Sequence, residues 1–339
     1  MDHRTLGRTG MYVSPLCLGA MMFGDWGNKE ENESIRIIHR ALDAGINFID
    51  TADVYSRGES EEIVGKALKG RRDDVVLATK VHGTMGKDPN QFGNSRRWIV
   101  KECDASLRRL QTDCIDLYQI HRPERDTDID ETLGALTDLV RAGKVRTIGS
   151  STFPASHIVE ARWTAEHRGR ERFMCEQPPY SILVRAVEAE ILPLCRRYGM
   201  GVIPWSPLAG GYLSGRYRRG HEPPTSSRAE RLPHRFDLSI PENQRKFDAA
   251  AALGELAEEA GMTLIQLALA FVINHPAVTS AIIGPRTMEH LESQLAALDV
   301  TLTPEILDRI DEIVPPGTNV NPVDAGWTSP WLEPAARRR

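Results

Sequence analysis

The chain has 339 residues, 41% of them hydrophobic and 26% charged, with a formal net charge of −5; this is the balance of a soluble globular protein and excludes a disordered one. The mild acidity gives no electrostatic footprint for nucleic acid or an anionic bilayer, and no apolar run approaches the ~20 residues of a membrane span. The opening MDHRTLGRTG lacks the apolar core of an export signal, so a cytoplasmic location is expected.

In chain order, strand-like runs are expected near Pro15–Ala20, Asn47–Ala52, Val75–Lys80, Ile115–His121, Val145–Ser151, Phe173–Gln177, Gly201–Ser206 and Ser280–Gly284. They are rich in Val, Ile, Leu and Phe and too short for helices. Helical periodicity lies between them, over Ser34–Ala44, Arg96–Leu110, Ile129–Ala142, Val187–Tyr198 and Ala249–Asn274, with Gly45, Gly143 and Gly261 at or near breaks. Two stretches break this rhythm: Leu213–Arg245, which is either a lid or a solvated loop, and a tail over residues 315–339 ending in Arg337-Arg338-Arg339. Cys17, Cys103, Cys114, Cys175 and Cys195 are far apart with no CxxC, which favours free thiols over a disulfide framework or a zinc site.

Strand-then-helix alternation with nearly continuous apolar strands calls for a parallel sheet covered by helices. Eight repeats fit a closed (β/α)8 TIM barrel, one domain over residues 1–314. A doubly wound dinucleotide fold is the alternative, but its G-x-G-x-x-G is missing: the first strand ends Leu18-Gly19-Ala20-Met21.

In such a barrel the active site forms where the strands end. Polar residues at those ends are Asp50 with Tyr55 just beyond, Lys80, Gln119 and His121, Ser151 and Thr152, Glu176 and Gln177, and Trp205 with Ser206. Each alone has an ordinary explanation as a solvated strand end, an ion pair or a surface tyrosine. Charges interrupting apolar strands at matching ends, however, point to a shared polar site.

The segments LGRTGMYVSPLCLGAMMFG, AGINFIDTADVYS, LATKV, IDLYQIHRP, IGSST, EQPPYSILVR, PWSPLAGGYLSG and IIGPRT, with HLESQL after it, resemble the aldo-keto reductases. The likeness runs from about Leu6 to Val300 and is greatest to the branch of bacterial reductases and potassium-channel β-subunits. It implies a catalytic tetrad of Asp50, Tyr55, Lys80 and His121, no metal, and reduction of aldehydes and some ketones to alcohols. An unassisted phenol ionises only near pH ~10, so a general acid of this type works with a cation beside it. Lys80 supplies that cation, Asp50 keeps it charged and aimed, and His121 orients the carbonyl oxygen.

The same resemblance implies NADPH as cofactor in preference to NADH. It places Gly19, Ala20, Met21 and Asp50 along the dinucleotide, Ser151, Thr152 and Gln177 at the carboxamide, and the nicotinamide ring on Trp205. Ser206, Leu208, Gly210 and Arg216 follow the pyrophosphate. Gly284, Arg286, Thr287, His290 and Gln294 surround the adenosine 2′-phosphate, where a helix N-terminus and an arginine suit an anion. Thr152, Ser293 and Gln294 depart from the residues common in relatives, which bears on cofactor preference. Pocket walls are expected from Phe23, Trp26, Tyr55 and His82, and from Trp327 or Trp331 in the tail. Two other readings stay open: a Schiff-base lyase using Lys80, and a nucleotide-sensing regulatory subunit. Nothing sets the number of subunits, and a homo-oligomer remains open.

Overall fold

The computed structural model describes residues 1–217, 227–332 and 334–336. Residues 218–226, 333 and 337–339 lie outside the described residues, and with the first of these the middle of the stretch expected to be a lid or a solvated loop.

A short antiparallel hairpin, β1 (Arg4–Thr5) and β2 (Tyr12–Val13), precedes the barrel. Eight parallel strands follow: β3 (Leu16–Gly19), β4 (Phe48–Asp50), β5 (Val76–Val81), β6 (Ile115–Ile120), β7 (Val145–Ser151), β8 (Cys175–Gln177), β9 (Gly201–Val202) and β10 (Ala281–Ile283). They pair in the order β10-β3-β4-β5-β6-β7-β8-β9. The ring closes through backbone N–H groups of Thr279, to Val202 O at 2.8 Å, and of Ile282, to Pro204 O at 2.9 Å. β9 is shorter than its apolar run because Pro204 has no N–H to donate and Ser206 turns into the left-handed region at φ 61°. The fold is a (β/α)8 barrel.

Strand periodicity sorts the core in two. Outward residues such as Leu16, Leu18, Ile49, Leu77, Tyr118 and Ile148 pack under the helices. Their inward neighbours Cys17, Phe48, Ala78, Leu117, Cys175 and Ile203 fill the barrel with Leu6 and Val13 of the hairpin region. Continuing that alternation toward the strand ends aims Asp50, Lys80, Gln119, His121, Ser151 and Gln177 at the barrel axis. The hairpin, which local patterning does not announce, floors the barrel. Gly7 permits this at φ 56°, since a Cβ there would lie 2.7 Å from both Gly201 N and Met174 O.

The helices are α1 (Glu31–Asp43), α2 (Glu59–Ala67), α3 (Arg96–Leu110), α4 (Ile129–Arg141), α5 (Ala155–Arg168), α6 (Ile191–Tyr198), α7 (Ser227–Arg231), α8 (Pro241–Glu259), α9 (Leu264–Ile273), α10 (Met288–Leu295) and α11 (Pro304–Ile313). The single helix expected over Ala249–Asn274 is two, α8 and α9, bent by 95°. Gly261 at φ 70° ends one and Thr263 opens the next with a reciprocal capping box to Gln266. Among the described residues no single helix is long and apolar enough to cross a bilayer; α8 and α9 pass only as this bent pair, and most of α9 is buried in the fold.

The tail does not trail away. Val320 N donates to Leu183 O at 3.0 Å, Asn321 Nδ2 donates to Asn243 Oδ1 at 2.9 Å, and Lys246 pairs with Asp324 at 2.9 Å. Gly326 then lies against the Trp205 indole, so closely that a Cβ would sit 2.5 Å from its Cζ2. The C-terminal segment thus crosses one side of the barrel mouth.

Candidate active site

At the centre of the mouth Lys80 is fully buried and Asp50 nearly so. Lys80 Nζ donates to Asp50 Oδ2 at 2.5 Å, to Thr51 O at 2.8 Å and to Tyr55 Oη at 3.2 Å. Burial alone would lower this ammonium, but the adjacent Asp50 carboxylate and Tyr55 oxygen outweigh it and hold the group above the usual lysine value. The second Asp50 oxygen accepts from Gln119 Nε2 at 3.1 Å and Gln177 Nε2 at 2.9 Å. A charge pair this deep persists only because its remaining polar atoms are also satisfied.

Tyr55 stands on the turn after β4, where Ser56 and Arg57 both adopt left-handed backbone, φ 47° and 57°. Strain of this kind at non-glycine residues concentrates at functional sites. The Ser56 hydroxyl accepts from Trp26 N at 3.1 Å, tying this turn to the loop after β3. The Tyr55 ring meets His121 edge-on with centroids 5.7 Å apart, and Trp26 lies 6.0 Å away on another side. Burial, aided by the Lys80 charge, pushes the His121 imidazole well below the ordinary histidine value, so the ring is neutral at pH 7.

A cavity of about 730 Å³ opens over these groups. Of the residues anticipated along it, Gly19, Met21, Asp50, Tyr55, His121, Gln177, Trp205, Ser206, Leu208, Gly210, Arg216, Gly284, Arg286, His290 and Gln294 do line it. Lys80 sits one layer beneath. Ala20 is buried, its N–H on Asp50 O, and Thr287 is the N-cap of α10, accepting from His290 N at 3.3 Å. Ser151 and Thr152 are buried at its edge: Ser151 donates to Gln177 O at 3.0 Å and Thr152 accepts from Trp205 Nε1 at 3.4 Å. Trp26 is a wall residue, as expected. Phe23, His82, Trp327 and Trp331 are not. Phe23 is fully buried, His82 packs on Phe92 and bonds Asn94, Trp327 packs on His157, and Trp331 stands exposed beside Arg125. Each found a nearer partner than the site.

The far arm of the cavity suits a dinucleotide. Ser206, Ala209, Gly210 and Gly211 all have positive φ and curl the chain along it. Gln294 is buried, and its Oε1 has no hydrogen-bond partner among the described residues, which leaves an acceptor open to a ligand's donor. Gln119, which holds Asp50, and Arg122, which lines the cavity, are site residues whose roles the sequence does not announce; for Gln119 the period-two register with Leu117 and His121 is the available signal.

Behind the strand end of β7, Glu176 accepts from the Ser150 hydroxyl and, at 3.1 Å, from Phe153 N, fixing the turn that carries Ser151 and Thr152. Burial pushes its carboxyl up to about 7. The folded state therefore keeps a proton that the unfolded chain releases above the ordinary value of 4.5. Stability from this group is full below that value and falls by about 1.36 kcal/mol per pH unit until pH reaches the folded value. Glu176→Gln is expected to flatten this fall, which thermal unfolding followed against pH for both proteins checks.

Residues 15–315 match the model of the Aldo/keto reductase family. The oxidoreductase YrpG of Bacillus subtilis is 41% identical over 96% of this chain and 100% of its own length. A probable voltage-gated potassium channel subunit beta of Arabidopsis thaliana is 36% identical over 93% and 97%, and the versiconal hemiacetal acetate reductase of Aspergillus parasiticus is 35% identical over 92% and 96%. A family match spanning most of the barrel, joined to near full-length similarity, makes the chain a member of the aldo/keto reductase family and an oxidoreductase.

Proposed function

We propose that the protein is a cytoplasmic, NADPH-dependent reductase of aldehydes and, more weakly, ketones. The observation that carries this reading is the Lys80 ammonium held 3.2 Å from the Tyr55 hydroxyl by a buried carboxylate. When bound, the reduced dinucleotide supplies the hydride. Tyr55 then hands its proton to the carbonyl oxygen as negative charge develops there. Lys80 stabilises the phenolate left behind, and Asp50, gripped by Gln119 and Gln177, keeps Lys80 in place. Neutral His121 donates a hydrogen bond to the same carbonyl oxygen and sets its direction. Ser151 and Gln177 hold the carboxamide, Trp205 backs the ring, Arg216 follows the pyrophosphate and Arg286 the 2′-phosphate. Five unpaired thiols suit a reducing compartment.

A second reading draws on the names of similar proteins, several of them potassium channel beta subunits: a nucleotide-sensing regulatory subunit. Purified protein given a panel of aldehydes and ketones, with NADPH and NADH in parallel, separates the two. NADPH-favouring oxidation of cofactor with aldehydes is the expected result. Tight cofactor binding with no carbonyl reduced would reject the reductase and leave the sensor.

A further inference from the structure

We propose that Arg122 is the anchor for a carboxylate on the substrate, so that the preferred carbonyl compounds are oxo-acids rather than neutral aldehydes. This rests on the reductase reading and names the substrate class of the same site.

Arg122 follows His121 at the end of β6 and lines the same cavity as Tyr55 and Trp205. Its Nη1 donates to the His121 carbonyl at 2.6 Å and reaches the Ser151 hydroxyl at 3.5 Å, with the guanidinium 5.8 Å from the Trp205 ring centre. It stands beside His121 and Ser151 on the wall of the cavity that Tyr55 also lines.

A guanidinium has five N–H donors and a charge. Here Nε and Nη2 meet no acceptor, and no carboxylate lies within ion-pair distance, among the described residues. Glu176 acts on Arg122 only through space, and its bonds go to the turn behind it. The neighbouring cations make matters worse. Arg235 adds like charge, Arg231 lies over the Trp26 ring at 5.3 Å, and Lys246 already has Asp324. In a chain of net charge −5, this mouth is locally positive. A half-desolvated cation without a counter-ion is costly, and an incoming carboxylate offsets that cost with a two-pronged, charge-assisted contact. The aromatic walls Trp26 and Tyr55 would enclose the carbon skeleton between the carboxylate and the carbonyl.

The test compares 4-carboxybenzaldehyde with methyl 4-formylbenzoate, matched in ring and carbonyl but not in charge, using wild type, Arg122→Met and Arg122→Lys with saturating NADPH. Wild type is expected to prefer the acid at least tenfold in kcat/KM. Arg122→Met should lose roughly tenfold to a hundredfold on the acid and less than twofold on the ester, with Arg122→Lys recovering part. Equal losses on both aldehydes, a raised KM for NADPH that accounts for the loss, or no preference in wild type would overturn the proposal. Titration calorimetry of 4-(hydroxymethyl)benzoate and its methyl ester into protein with NADP+ gives a readout free of turnover. If neither aldehyde is reduced, the reductase reading fails by itself. Arg122-dependent selection of the free acid then still supports the anchor, and its absence rejects it.

Discussion

Tyr55→Phe is expected to lower kcat for carbonyl reduction by roughly a hundredfold to ten-thousandfold, the usual contribution of a positioned proton donor. The substitution removes one oxygen and keeps the ring, whose edge contact with His121 and tilted contact with Trp26 hold the turn together. Affinity for NADPH should stay within about twofold, because in the proposed mechanism the phenol acts where charge develops and not along the dinucleotide. Steady-state kinetics with one aldehyde, beside cofactor titration by tryptophan quenching, checks both halves. A variant with full activity would remove Tyr55 from its role.

Lys80→Met should be damaging in two separable ways. It takes away the cation beside Tyr55, so activity falls at least as far as in Tyr55→Phe. It also leaves Asp50 as a buried carboxylate with two amide donors and no counter-charge, which costs about 3–5 kcal/mol. Chemical denaturation measures that loss. Adding Asp50→Asn to Lys80→Met should return much of the stability and none of the activity, since neutralising the orphaned charge repairs folding but not proton transfer. The two changes are coupled through one contact and will not add. If the double variant were no more stable than Lys80→Met, the ion pair would not be what Lys80 contributes to the fold.

Much of this architecture was readable from residue order. The eight apolar runs sit where the barrel strands lie, and Asp50, Lys80 and His121 fall at or next to the ends of theirs on the inward face. Where the reading slipped, the cause was local rivalry. A continuous helical pattern across Ala249–Asn274 hid a right-angle bend, because apolar periodicity passes through Gly261 while backbone geometry and the Thr263–Gln266 cap do not. Aromatic residues near the mouth read as walls from the sequence, yet Phe23, His82 and Trp327 each pack elsewhere; side-chain type says that a residue seeks apolar contact, not which one it finds.

By itself the sequence determined the alternating strands and helices, the absence of a dinucleotide-fold fingerprint, and the set of polar residues at the strand ends. These are matters of spacing over a few residues, where the two-residue period of a strand and the 3.6-residue period of a helix act directly. Tertiary structure alone decided that Gln119 and Gln177, 69 and 127 residues from Asp50, would grip one oxygen of that carboxylate. It alone brought Gly326 of the tail against Trp205 and left Arg122 facing the cavity with no carboxylate in ion-pair distance among the described residues. Such contacts depend on how a closed ring of strands superposes distant positions, and no local periodicity encodes that.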